Sequence, residues 1–235
     1  TDHIDSALML FFIAFYSFLS ITGNLNIGFR HLFPILPFLY FLVAKNAIQM
    51  TRDPLFSKKT QLILSYGIGI LAFLQLLTPL SVHPYYLSYY NPLAGGTMNG
   101  YKIATDSNYD WGQDLHRLKT FITEHNSCIS SNGQSTSECP ANLKKLPPIE
   151  KIHVDYFGGA SAQHELGPLF DGWWSERDPE PGWYAISINT LQENWTTSSN
   201  PATKKSDHNY LWLKELPLVG RAGTSIFIYY LPEQK

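Results

Sequence analysis

"QLILSYGIGILAFLQLLTPLSV", residues 61–82, carries no charged side chain from end to end. About 20 such residues cross a bilayer as a helix, because helical pairing satisfies every backbone polar group where water is absent. The stretch is read as a membrane span. "SALMLFFIAFYSFLSIT" (6–22) is equally uncharged and is read the same way. "HLFPILPFLYFLVAKNAIQM" (31–50) is less regular, since Pro34 and Pro37 interrupt it and Arg30 and Lys45 bracket its apolar part. It is either a third span with Lys45 snorkelling to the surface or a re-entrant segment. A soluble protein with three buried helices is the competing account, and the length of the uncharged runs argues against it.

The average composition hides this division. A net charge of -2 and 44% hydrophobic residues in 235 would suit one or two soluble domains. Between Ser6 and Met50, however, Arg30 and Lys45 are the only charged residues. The link "TRDPLFSKK" (51–59) concentrates Arg52, Lys58 and Lys59, which the positive-inside rule places in the cytoplasm. If 31–50 spans, "TGNLNIGFRH" (22–31) lies outside, and so does everything after Val82. The expected organisation is a transmembrane region over 1–82, an aromatic and glycine-rich interfacial junction over 83–110, and an extracytoplasmic domain over 111–235. The chain opens on Thr1 and runs almost at once into a span, so it reads as the end of a longer protein. No internal repeat is present.

"HPYYLSYYNPLAGGTMNGY" (83–101) suits the headgroup region, where a tyrosine ring can be dry at one end and wet at the other. An aromatic substrate platform is the alternative. Farther on, "KIHVDYF" (151–157), "WYAISIN" (183–189) and "TSIFIYYL" (224–231) alternate apolar with more polar residues and predict strands. "NYLWLKEL" (209–216) predicts a short helix. The expectation is a small α/β domain of about three strands following two to three transmembrane helices. In "FDGWWSERDPEPGW" (170–183) the tryptophans either stack on a sugar ring or plug a small core, and the core reading is preferred. Cys128 and Cys139 flank a polar loop that a disulfide could close, as persists in oxidising compartments. Their spacing and the absence of nearby His ligands argue against zinc. "NWT" at Asn194 is a glycosylation sequon.

"DSNYDWGQD" (106–114) allows three readings: a metal loop, an acid/base site, or the polar start of a helix. Asp106, Asn108 and Asp110 alternate as in a calcium loop. Such a loop needs Gly at its sixth position and a bidentate Glu at its twelfth, which here are Trp111 and Arg117. No metal is expected. Leu115, Leu118, Phe121 and Ile122 follow at helical spacing, so Asp110 or Asp114 would cap the helix through orphan N–H groups. No nucleophile elbow, phosphate loop or dinucleotide fingerprint occurs. Arg30 and His31 stand at the mouth of a membrane segment. A planar guanidinium there could hold a lipid-linked phosphate, or simply cap the span in the headgroups.

"NIGFRHLFPILPFLYFL", "HPYYLSYYNPLAGG" and "DSNYDWGQDLHRL", together covering roughly residues 20–120, resemble the C-terminal part of the GT-C membrane glycosyltransferases of family 39 and the protein O-mannosyltransferase-like group. The resemblance implies a polyprenyl-phosphate sugar as donor, a protein or glycan acceptor and an active site facing the outer membrane surface. It further implies an integral protein of a bacterial plasma membrane, without a cofactor or nucleic-acid partner. It implies that Arg30 and His31 contact the donor's lipid phosphate. Asp106, Asn108, Asp110, Trp111, Gln113 and Asp114 match a family signature whose role the resemblance does not assign. The family's catalytic Asp belongs to a first external loop that this chain does not contain, so the catalytic residues are unknown. A membrane-anchored, non-enzymatic binding or scaffolding domain is the alternative, favoured by the lack of a complete catalytic constellation.

Overall fold

A computed structural model describes residues 2–23, 29–129, 140, 143–195 and 209–233. The chain divides into two compact units, Thr1–Tyr86 and Leu87–Lys235.

The first unit is helical: α1 (Asp2–Thr22), a 3-10 helix (Phe29–Ile35) running into α2 (Leu36–Arg52), and α3 (Lys58–Val82). Three helical stretches, Ile4–Thr22, Phe29–Arg52 and Lys58–Val82, are long and apolar enough to cross a membrane, with mean hydropathies of 1.9, 1.4 and 1.8. No described residue of α3 is fully buried, and most of its Leu, Ile and Phe side chains remain exposed, as suits lipid or further apolar helices. The two prolines of 31–50 do not divide it. Pro34 falls in the 3-10 helix and Pro37 in the first turn of α2, where a missing N–H costs no helical bond. Lys45 is held within the bundle, with its Nζ donating to Ser6 Oγ of α1 at 2.9 Å. Ser57 caps α3, its side chain accepting the N–H of Thr60.

The second unit contains α4 (Leu115–Cys128), β1 (Ile152–Asp155), α5 (Ala162–Leu166), β2 (Phe170–Gly172), β3 (Gly182–Ser187), α6 (Ile188–Trp195), a 3-10 helix (Tyr210–Glu215), β4 (Gly220–Ala222) and β5 (Ile226–Leu231). The strands form one mixed sheet in the order β2-β1-β3-β5-β4. β1 runs parallel to both β2 and β3, whereas β5 is antiparallel to β3 and β4. The sheet therefore has five strands where about three were expected. The two additional strands are three residues each and contain Gly172 and Gly220, too short to display an alternation.

Alternation along the longer strands sorts the core into two layers. Ile152 and Val154 of β1, Trp183 and Ala185 of β3, and Ile226 and Ile228 of β5 pack with Leu115, Leu118 and Ile122 of α4 and Leu166 of α5. The intervening Tyr184, Ile186, Phe227 and Tyr229 pack with Ile188 and Leu191 of α6, Tyr210 and Leu213, and Tyr109. Helices thus cover both faces, which is why β3, between them, is buried along almost its whole length. Trp173 and Trp183 are core residues, whereas Trp174 is exposed. Cys128 ends α4 and is disulfide-bonded; Cys139 lies outside the described residues.

Candidate functional site

In an open sheet with parallel strands, the crevice lies at the carboxyl ends of neighbouring strands whose connections leave in opposite directions. The order β2-β1-β3 creates such a point between β1 and β3. The chain leaving β1 supplies Phe157, and the chain leaving β3 enters α6 with Asn189, Thr190, Gln192 and Glu193. With residues 101–106 they line a cavity of about 490 Å³. A larger cavity of about 740 Å³, lined by Pro179, Pro181, Trp212, Glu215, Leu231 and Glu233 among others, lies away from this switch point.

The signature stretch is divided between the cavity wall and the structure behind it. Asp106 is on the wall. Its backbone is left-handed at φ 56°, a conformation Asp tolerates better than most residues, and its N–H donates to Asn189 Oδ1 at 2.6 Å. Asn108 Nδ2 donates to the Thr105 carbonyl. The exposed Trp111 donates its indole N–H to the Ser107 carbonyl, and its backbone N–H goes to Gln113 Oε1. Gln113 Nε2 in turn donates to the Tyr109 carbonyl. These three residues knit the loop together locally.

Asp114 does something other than cap α4. It stands at the N-cap position, yet its side chain makes no cap bond. The fully buried carboxylate reaches the turn between β4 and β5, where Oδ2 accepts the N–H groups of Thr224 at 2.8 Å and Ser225 at 2.9 Å. Both hydroxyls also donate to it, at 3.2 and 3.0 Å, and Arg117 pairs with Oδ1. Only Gly fits opposite: Gly223 has φ 62°, and a Cβ there would collide with the carboxylate. The turn explains what the sequence could not, since the partners lie 110 and 111 residues away.

Asp110 is also fully buried. Its Oδ1 accepts the Gly112 N–H at 2.8 Å, while Oδ2 is enclosed without a hydrogen-bond partner. Burial pushes its carboxyl up to about 6, a rise the Asp114 charge reinforces and the Gly112 N–H and the nearby Ser225 and Ser187 hydroxyls offset only in part. Because the folded value lies above the ordinary 3.8, the folded state holds the proton more tightly. The associated stability is complete below about pH 4 and is lost as pH rises through about 6. Asp110→Asn should therefore flatten the decline of thermal stability between about pH 4 and about pH 6 and leave the variant the more stable above that range. Parallel curves for the two proteins would show that Asp110 is not the group responsible.

Behind the cavity, Asp155 ends β1. Tyr210 donates to its Oδ2 at 2.6 Å and Thr190 to its Oδ1 at 3.5 Å. Burial raises the Asp155 carboxyl, with the two hydroxyls opposing the rise. Among the described residues, no three His, Cys, Asp or Glu side chains group as a metal site would require.

Arg30 and His31 belong to the first unit and lie in the 3-10 helix that leads into α2, both half-buried. His31 Nε2 is enclosed without a hydrogen-bond partner among the described residues. Sequence reasoning missed Lys102, Phe157, Asn189, Thr190 and Glu193. For all but Lys102 the available signal was a place just beyond the strands at 152–155 and 182–187, but strand order was needed to use it. The chain matches no family model, no curated protein and no solved structure.

Proposed function

We propose that this chain is the C-terminal part of an integral-membrane glycosyltransferase that moves a sugar from a polyprenyl-phosphate donor to an extracytoplasmic acceptor. The observation that carries the reading is the Arg30-His31 pair, half-buried at the head of the apolar stretch Phe29–Arg52, inside the "RHLFPILP" element that resembles the GT-C enzymes. A guanidinium at such a mouth suits the lipid-linked phosphate, because its planar fork matches two phosphate oxygens and reduced hydration strengthens the contact. An enclosed imidazole nitrogen without a hydrogen-bond partner among the described residues is suited to donate to the same group when protonated.

In this reading the link 51–59 faces the cytoplasm, the second unit lies outside, and the acid/base residue comes from the enzyme's N-terminal region. The donor phosphate is held by this chain, and the second unit shapes access for the acceptor. The test is to reconstitute the full-length protein in vesicles with radiolabelled hexosyl and mannosyl polyprenyl phosphates. Protein-dependent loss of label from a donor supports the assignment. Failure to turn over any of these donors, by protein that remains folded, overturns it in favour of an anchored binding domain.

A further inference from the structure

We infer that the cavity between the ends of β1 and β3 is a binding site for a neutral hexose unit, the part of the acceptor glycan that the second unit recognises. The identification of that hexose as an acceptor rests on the glycosyltransferase reading; the binding chemistry does not. A volume of about 490 Å³ lies within the range of small-molecule sites. Its position at the switch point is where parallel sheets place ligands.

The polar groups identify the ligand class. Asn189 is only 9% exposed and lines the cavity, and its Oδ1 is committed to the Asp106 N–H. That donor fixes which end of the amide is oxygen, so the enclosed group without an acceptor among the described residues is Nδ2. An NH₂ group in this position calls for a hydroxyl or carbonyl oxygen. Phe157, 39% exposed, supplies an apolar ring beside it. Tyr101 supplies a second, held edge-on against Phe227 at 5.3 Å.

Lys102 is the one basic side chain among the described residues of the lining, and its ammonium sits 5.8 Å from the Tyr101 ring centre. An aromatic-walled cavity with amide and hydroxyl groups fits a ring that presents hydroxyls at its edge and C–H bonds on its faces. Asn189, Thr190 and Gln192 would meet the edge, and Phe157 and Tyr101 the faces.

The measurement is saturation-transfer NMR on the full-length protein in nanodiscs, with methyl α-mannoside, methyl β-glucoside, methyl β-galactoside and inorganic phosphate as probes. At least one hexoside is expected to receive saturation at its ring protons, and phosphate should not displace it. Asn189→Asp keeps an acceptor for Asp106 and removes the amide donor, and because it adds a buried carboxylate it also lowers the thermal transition. Phe157→Ala removes an exposed ring and should leave the transition in place. Each should weaken hexoside binding by roughly tenfold, as expected when one buried hydrogen bond or one apolar wall is lost. Absence of binding by all three hexosides, unaltered binding in both variants, or displacement by phosphate would each overturn the assignment. Hexoside binding without donor turnover in the vesicle assay would leave the site standing and remove the glycosyltransferase reading instead.

Discussion

Asp114→Ala should destabilise the second unit by about 3–5 kcal/mol, the range expected when one partner of a buried charged network is removed. The loss arises mainly at the partners. Thr224 and Ser225 are both fully buried, and without the carboxylate their backbone N–H groups have no acceptor and no route to water. Each such orphan costs about 1–3 kcal/mol. The Thr224 hydroxyl is better placed, because Ser88 Oγ stands 2.6 Å away. Arg117 is 32% exposed at its side chain and can turn to solvent, so its contribution is small. Asp114→Asn retains an oxygen for the two N–H groups and should lose only about 1–3 kcal/mol, as for a hydrogen bond stripped of its charge. Gly223→Ala attacks the same contact from the other side, by a methyl group that meets the carboxylate in a left-handed backbone.

Denaturant unfolding followed by tryptophan fluorescence isolates the effect, since all six tryptophans lie in the second unit. A change within about 1 kcal/mol for Asp114→Ala would mean that the β4–β5 turn holds its shape without the carboxylate. The network joins the loop before α4 to the far edge of the sheet. Its loss should therefore disturb the signature loop together with the strands.

On the glycosyltransferase reading proposed above, Arg30→Ala should lower kcat/KM for the lipid-linked donor by about 10- to 100-fold in the full-length protein, the equivalent of one or two charge-assisted hydrogen bonds to phosphate. Stability should change little, because the residue is half-buried in a short 3-10 helix outside the packed core of the second unit. Arg30→Lys retains the charge but not the fork, and should recover only part of the loss. The decisive comparison is between substrates: a water-soluble acceptor's KM should remain near its wild-type value while donor use collapses. Unchanged donor kinetics in the alanine variant would remove Arg30 from the phosphate site.

The same contrast between local and distant partners explains how much could be read in advance. The three apolar stretches were legible because lipid solubility is a property of consecutive residues, and Gln61 to Val82 carries the signal without reference to any other part of the chain. β1, β3 and β5 were legible because each is long enough to alternate, so that Ile152 and Val154 point to one layer and Tyr184 and Ile186 to the other. β2 and β4 were not, because three residues with a glycine among them are defined only by the neighbour they pair with. The helix after "DSNYDWGQD" was expected and begins at Leu115, but of the two expected caps Asp114 makes no side-chain cap bond and Asp110 accepts the N–H of Gly112, ahead of the helix. A helix-start motif and a buried anchor have the same sequence, and what distinguishes them is whether two unpaired N–H groups have been folded to within 3 Å.

The sequence alone determined that this protein has helices suited to a membrane followed by a small α/β unit, since hydropathy and alternation are written in neighbouring residues. Tertiary structure decided the five-stranded order and, through it, the cavity. Phe157 and Asn189 lie far apart along the chain and share a wall because β1 and β3 run side by side and end together, and the still more distant segment 101–106 joins them through the Asp106 N–H bond to Asn189. A site formed by strand pairing has no local code, because the pairing energy is spread over the whole sheet and the residues that benefit from it lie beyond the strand ends.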